Sequence, residues 1–318
     1  MPPVAERVAI DMDPGVDDAL ALFVALASPE LDVVGLTTVF GNAGVDVTTR
    51  NALILLDAAG RSDLPVIRGA AGPLASGYLG PVAHVHGANG LGDAPLQPPS
   101  RPSDPGEAAD WLHARAAERP GTLTVLALGP LTNLAEALRR HPGLPGIVRR
   151  VVVMGGNALG PGNATPAAEA NVLNDPEAAD AVFGAPWLVT MVGLDVTHRV
   201  NLRGADVDRV TAGARATHRL LAGALPLYRA FFERTNGTDG FYLHDPSAVA
   251  YLVRPDLFET SRWPVRVETE GFSRGKTWPS LGDTDDASPL PWRGRPRVSV
   301  CTGVDGPGVV DLVVSRLL

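Results

Sequence analysis

Short aliphatic and β-branched runs alternate along this chain with longer segments whose apolar positions recur at helical spacing. Val8 to Ile10 reads as a strand, and Asp17 to Ala27 as a helix with Leu20, Val24 and Ala27 on one face. The unit repeats with Leu31 to Val39 and Val45 to Ala59, then with Leu123 to Leu128 and Leu131 to Arg140, where Pro142 stops the helix. Val151 to Met154 predicts a strand running into Gly155-Gly156, and Leu188 to Val192 another. Between them, Pro176 to Phe183 predicts a helix with Asp175 as its N-cap and proline in its first turn. Leu220 to Phe232, Pro246 to Val253 and Val309 to Leu318 complete the predicted helices. Strand and helix in strict alternation mean parallel strands joined by crossover helices. The expected fold class is therefore α/β, a mostly parallel central sheet flanked by helices, with an active site at the carboxyl ends of the strands.

Residues 69 to 104 and 271 to 297 break this rhythm and are rich in Gly, Pro and Ser. Loops of that length in a compact domain are functional or mobile. No internal repeat or linker divides the chain, so residues 1 to 318 are expected to form a single domain. Hydrophobic residues at 45% and charged residues at 19% place it among ordinary globular proteins. The net charge of −8, without any basic block, argues against a nucleic-acid partner. The lone cysteine, Cys301, excludes an intrachain disulfide. The opening residues show no apolar signal run, and no stretch is long enough to span a membrane. A cytoplasmic protein is the expectation.

The chemistry concentrates in Asp11-Met12-Asp13-Pro14-Gly15-Val16-Asp17-Asp18, where four carboxylates fall within eight residues and no Lys or Arg lies among them. The cluster sits at the end of the first strand, and Asp11 and Asp13 share a face if the chain stays extended there. Asp17 and Asp18 fall at a helix start, where the helix dipole favours negative charge. Helix capping accounts for one or two of these acids but not for four. Carboxylates held together need a cation or raised pKa values, and an all-oxygen set suits a hard ion such as Ca²⁺ or Mg²⁺.

Asp-x-Asp-Pro-Gly-x-Asp-Asp-Ala at a first strand end resembles the signature of the nucleoside hydrolase family, calcium-dependent enzymes that cleave the N-glycosidic bond of ribonucleosides. Further segments resemble that family in order: Thr37-Thr38-Val39-Phe40-Gly41-Asn42, His86-Gly87, Gly129-Pro130-Leu131-Thr132-Asn133, Met154-Gly155-Gly156, Gly162-Asn163, Glu169-Ala170-Asn171, Asp175-Pro176 and His244-Asp245-Pro246. The likeness is close from residue 7 to about residue 255 and weak beyond.

The resemblance implies one Ca²⁺ held by Asp13, Asp18, Asp245 and the backbone carbonyl of Leu128. It implies Asp13 as the general base that takes a proton from the attacking water, and a transition state of oxocarbenium character. It also places Asp17 and Asn42 on the 2′ and 3′ side of the ribose, and Asn163, Glu169 and Asn171 on its 5′ and 3′ side. Glu169 and Asn171, two residues apart, align if their segment is extended. Ala170 between them departs from the bulky aromatic residue of many relatives. His244, next to a proposed metal ligand, is the candidate acid for the departing base, with His86 as a base contact or an ordinary loop histidine. Asp11 reads equally as a group near the metal or as a strand-end cap. Tyr228 and Tyr242 read as packing or as base-side residues. Homodimers and homotetramers are both compatible with the family.

Two rival readings differ in class. A haloacid dehalogenase-type phosphatase also begins with Asp-x-Asp, and Gly282-Asp283-Thr284-Asp285-Asp286 resembles its later acidic motif. That reading lacks a convincingly placed phosphate-binding Lys or Arg. A non-catalytic ribose-binding or nucleoside-binding protein would keep the sugar contacts without needing both Asp13 and His244.

Overall fold

A computed structural model describes residues 5–237, 239–282 and 290–318. In chain order the elements are β1 (Glu6–Met12), α1 (Val16–Ala27), β2 (Leu31–Thr38), α2 (Val45–Ala58), β3 (Val66–Arg68), α3 (Ala83–His86), α4 (Ala108–Glu118), β4 (Leu123–Ala127) and α5 (Thr132–Arg140). There follow β5 (Val148–Met154), α6 (Ala170–Asn174), α7 (Pro176–Gly184), β6 (Val189–Val192), α8 (Leu194–Thr197), β7 (Asn201–Leu202), α9 (Gly204–Thr211) and α10 (Ala216–Asn236). The chain closes with β8 (Phe241–Tyr242), α11 (His244–Val253), β9 (Phe258–Val267), β10 (Thr277–Pro279), β11 (Arg297–Val304) and α12 (Gly306–Leu317).

Nine strands form one sheet in the order β10-β9-β11-β6-β5-β4-β1-β2-β3, and β7 and β8 pair separately. From β3 across to β11 every pairing is parallel. Only β9 and β10, at one edge, run antiparallel to their neighbours. The expected α/β architecture is therefore observed. All five residues of β4 are buried, as a central parallel strand covered on both faces requires.

Side chains of β1 alternate between two cores. Val8, Ile10 and Met12 join a cluster with Leu20, Tyr228 and Val249, whereas Ala9 joins one with Leu112, Leu134 and Phe183. Asp11 shares the Ala9 face and so points toward α5.

Departures from expectation have physical causes. The final 60 residues supply three strands, β9 to β11, that apolar patterning does not reveal. β9 exposes much of its length and carries Pro264, so it reads as neither a buried run nor a clean alternation. Helix α10 is longer than expected and continues through Pro226. The segment 69–104 contains α3, and the segment 271–297 contains β10.

Candidate active site

Every strand end that carries a candidate residue opens onto one floor. After β1 the backbone delivers Asp13, and after β2 it delivers Asn42. Their order is fixed by Val39 N–H donating to Met12 O at 3.0 Å and by Leu128 N–H donating to Asp11 O at 2.7 Å. Asp17 and Asp18 lie in the first turn of α1, and Asp245 in the first turn of α11. These two helices pack on each other, so two positive helix ends face the same carboxylates.

Asp13 is sealed from solvent. Its Oδ2 accepts from Asn42 N–H at 2.7 Å, while Oδ1 has no hydrogen-bond partner. A Cβ on Gly41 would stand 2.0 Å from Oδ2, and one on Gly129 would stand 2.5 Å from Oδ1. A side chain at either position would therefore have to shift the carboxylate, and Gly41 also has a φ of +156°. Asp18 Oδ2 accepts from Gly15 N–H at 2.9 Å and from Asn42 Nδ2 at 3.1 Å. Asp17 Oδ1 and Asp18 Oδ1, like Asp13 Oδ1, are buried without a partner.

Asp17, Asp18 and Asp245 present carboxylate oxygens within 4.8 Å of one another. The three acids brought into this contact include Asp17, whereas the resemblance names Asp13; Asp13 flanks the group and is electrostatically coupled to Asp17 and Asp18. Burial and then the charge of Asp17 push the Asp18 carboxyl up to about 8. Burial likewise raises Asp13, Asp17 and Asp245. Orphaned, sealed carboxylate oxygens with strained ionisation are what a hard divalent cation relieves, and this cluster fits one.

Asp11 stands apart. Its Oδ1 accepts from Thr37 Oγ1 at 2.5 Å and from Asn133 Nδ2 at 2.7 Å, and burial lifts its carboxyl to about 7. It therefore braces the strand ends and is not one of the acids in close contact on the floor. Asn133 and Thr132, from the Gly-Pro-Leu-Thr-Asn segment, are braces as well. Asn133 also holds Thr38 O at 3.0 Å, and Thr132 donates to the α7 cap Asp175 at 2.7 Å.

The residues expected on the sugar side differ from the extended pairing read for them. Glu169 is the N-cap of α6, and Asn171 lies inside that helix. The Glu169 carboxylate accepts from the N–H groups of Asn171, Gly156 and Val172 at 2.8, 2.9 and 3.0 Å. The short polar turn starts a helix because Glu169 satisfies its free N–H groups. Asn171 Nδ2 donates to Leu128 O at 2.7 Å and to Met154 O at 3.1 Å. Asn163 is exposed, and its Oδ1 accepts from Ala170 N–H at 3.1 Å. Asn42 is thus at the floor, Asn171 at its edge and Asn163 at the rim.

His86 and His244 both stand near Asp17. His86 Nδ1 accepts from Val16 N–H at 3.2 Å and lies 3.9 Å from Asp17 Oδ1. His244 Nδ1 meets Thr197 Oγ1 at 2.9 Å. Burial lowers both imidazoles, His86 to about 3 and His244 to about 4. His84 is exposed and packs on Phe231 instead.

Three contributors carry no sequence motif. Tyr228 is fully buried on α10, and burial together with the Asp17 carboxylate raises its hydroxyl well above the usual phenol range. Tyr242 sits 6.0 Å from the His244 ring. Lys276 donates to Asn157 O at 2.7 Å and Gly160 O at 2.8 Å, clamping the base of the loop that carries Asn163. A cavity of about 520 Å³ at the opposite end of the strands, lined by Glu6, Arg7, Asp32, Arg119 and Arg149, contains none of the candidate residues. The segment Asp283 to Asp286, invoked for a phosphatase, lies outside the described residues.

A mostly parallel sheet whose strand ends gather three buried carboxylates within 4.8 Å of one another, with amide and imidazole side chains beside them, is the arrangement of a metal-dependent hydrolase. The chain belongs to the inosine-uridine preferring nucleoside hydrolase family, which it matches over residues 8–311. It is 42% identical over 313 residues to uridine nucleosidase 1 of Arabidopsis thaliana, covering 98% of this chain and 93% of that one. It is 40% identical over 318 residues to the pyrimidine-specific ribonucleoside hydrolase RihA of Citrobacter koseri, covering 99% and 98%. A solved plant nucleoside hydrolase, the PpNRh1 enzyme, superposes with a TM-score of 0.95 at 38% identity, covering 99% of both chains. The protein is an enzyme of this family, and the phosphatase and pure binding readings fall away. No helix among the described residues is long and apolar enough to cross a membrane.

Proposed function

We propose that this enzyme hydrolyses ribonucleosides, uridine foremost among them, to ribose and the free base at a calcium site on the acidic floor. The observation that carries the reading is the set of orphaned oxygens, Asp13 Oδ1, Asp17 Oδ1 and Asp18 Oδ1, sealed beside Asp245. The preference for uridine rests on the relatives named for uridine and for pyrimidines.

Asp13, Asp18, Asp245 and the Leu128 carbonyl would hold the cation. Leu128 O keeps a second lone pair beside its bond from Asn171. When bound, Ca²⁺ supplies positive charge that polarises water and the sugar hydroxyls. Asp13 is the group that accepts the proton of the attacking water. Asp17 and Asn42 orient the 2′ and 3′ hydroxyls, and Asn163, Glu169 and Asn171 the 5′ and 3′ side. Glu169 does this with the acceptor capacity left after its three backbone bonds. Negative and amide oxygens around the ring stabilise the oxocarbenium-like charge. His244 meets the departing base, with His86 beside it.

Metal analysis of the purified enzyme tests the site, together with free-ribose assays on uridine, cytidine, inosine and adenosine. One calcium per chain and fastest release from uridine are expected. Zinc in its place, or full activity after exhaustive chelation, overturns the calcium site. Faster cleavage of inosine than of uridine overturns the substrate preference.

A further inference from the structure

Thr197 closes α8 and is completely buried. Its hydroxyl has a single hydrogen-bond partner among the described residues, His244 Nδ1 at 2.9 Å, across 47 positions of sequence. A buried hydroxyl proton needs an acceptor, and leaving it unmet is costly. Among the described residues the one acceptor it meets is that ring nitrogen. Were Nδ1 protonated, it would donate to Thr197 Oγ1 and orphan the hydroxyl proton. With Nδ1 accepting, both groups are satisfied and the ring proton sits on Nε2.

His244 Nε2 has no hydrogen-bond partner among the described residues and is not fully sealed from solvent. It is therefore free to donate a hydrogen bond to a bound molecule. The ring cannot readily swing away, because Phe232, Tyr242 and His198 surround it with centroids at 6.1, 6.0 and 5.5 Å. Asp17, on the floor, interacts with it electrostatically.

We propose that Thr197 is a positioning residue for the reaction: its hydroxyl fixes His244 as the Nε2–H tautomer and aims that N–H at the leaving base. The contact to the base is a donated hydrogen bond to a carbonyl oxygen or ring nitrogen of the pyrimidine, where negative charge gathers as the glycosidic bond breaks. Thr197 acts through the imidazole, the one hydrogen-bond partner of its hydroxyl among the described residues. The proposal rests on the reading of His244 as the leaving-base contact.

The test compares the native enzyme, Thr197→Val, Thr197→Ser and His244→Ala. Each is assayed with uridine and with p-nitrophenyl riboside, whose leaving group departs without a hydrogen bond. Imidazole nitrogen chemical shifts of His244 report the tautomer. For Thr197→Val, the uridine to p-nitrophenyl riboside ratio of kcat should fall about 10- to 100-fold, the lower part of what acid–base groups contribute. The Nε2–H signature should weaken in the same variant. Thr197→Ser, which keeps the hydroxyl, should restore both ratio and signature. An unchanged ratio in Thr197→Val, with a fallen ratio in His244→Ala, overturns the role of Thr197 alone. An unchanged ratio in His244→Ala overturns the underlying reading together with it. Equal losses on both substrates in Thr197→Val mark a structural role and overturn the proposal, as does an Nδ1–H signature in the native enzyme.

Discussion

The side-chain amide of Asn171 donates to the carbonyl oxygen of Leu128 at 2.7 Å, joining a residue on the sugar side to the backbone atom proposed to face the cation. The contact makes one residue responsible for two functions. Asn171→Ala should slow uridine turnover, because it removes a hydrogen bond that tightens as the sugar flattens. It should also weaken calcium binding by about 10- to 100-fold, the usual cost of losing a group that orients a metal ligand. Calcium titration followed by calorimetry, beside steady-state kinetics, checks both. A variant with native affinity and native turnover would reduce the contact to a helix anchor.

Glu169 makes a different prediction from its neighbour. Because its carboxylate caps α6 through three backbone N–H groups, Glu169→Ala should lose about 0.5–2 kcal/mol of stability in addition to activity. Glu169→Gln keeps an oxygen acceptor and should retain more of both. Denaturant unfolding of the two variants measures the difference. If Glu169→Ala unfolds at the native midpoint yet is inactive, its carboxylate serves the substrate and not the helix.

What was legible in sequence follows from where burial is symmetric. Central strands covered on both faces, such as β4 and β5, are continuous apolar runs, and their helices carry clear apolar stripes, so the units at 8–59 and 123–140 and the strands and α7 helix up to residue 192 read well, whereas the short β3 and the weakly apolar α4 were not expected. β9 exposes Glu259 and Thr260 and contains Pro264, and β11 alternates buried and half-buried positions through Gly303, so neither announced itself. Asp13, Asp17 and Asp18 are legible because four uncompensated acids in eight residues have no ordinary explanation. Asp245 and His244, distant in sequence, are reachable only through the resemblance. Tyr228, Thr197 and Lys276 reach the site from separate elements, and each is an ordinary residue in its local window. The extended reading of Glu169 to Asn171 failed because a side-chain cap, invisible to periodicity, starts a helix there.

The floor also predicts an unusual dependence of stability on pH. Asp11 and Asp18 have carboxyls raised to about 7 and about 8 in the folded, metal-free chain. An unfolded aspartate titrates near ~3.9. Between these limits the folded state holds more protons than the unfolded one, so stability must fall as pH rises. The melting temperature of chelated enzyme should therefore decline from about pH 5 to about pH 8. Added calcium should flatten or reverse the decline, since bound cation favours the ionised carboxylates. Scanning calorimetry across that range, with chelator and with calcium, is the measurement. Parallel curves would mean that the cation does not pair with these acids.

Asp13 can be separated from His244 by choice of leaving group. Taking a proton from the attacking water is needed whatever departs, so Asp13→Asn should slow uridine and p-nitrophenyl riboside alike. The expected loss is at least the ~10²- to 10⁴-fold typical of a general base, and removal of a charge beside the cation adds to it. Gly129→Ala provides a second approach that leaves the carboxylate in place. Its new Cβ would fall 2.5 Å from Asp13 Oδ1, the oxygen without a partner, and must displace it. Both variants should therefore share one pattern, equal loss on both substrates, while His244→Ala should lower the uridine to p-nitrophenyl riboside ratio. Calcium content measured on each variant distinguishes a lost proton acceptor from a lost metal. If Asp13→Asn retains calcium and cleaves both substrates near the native rate, another group activates the water, and Asp17, whose Oδ1 is equally unpartnered, becomes the next residue to replace.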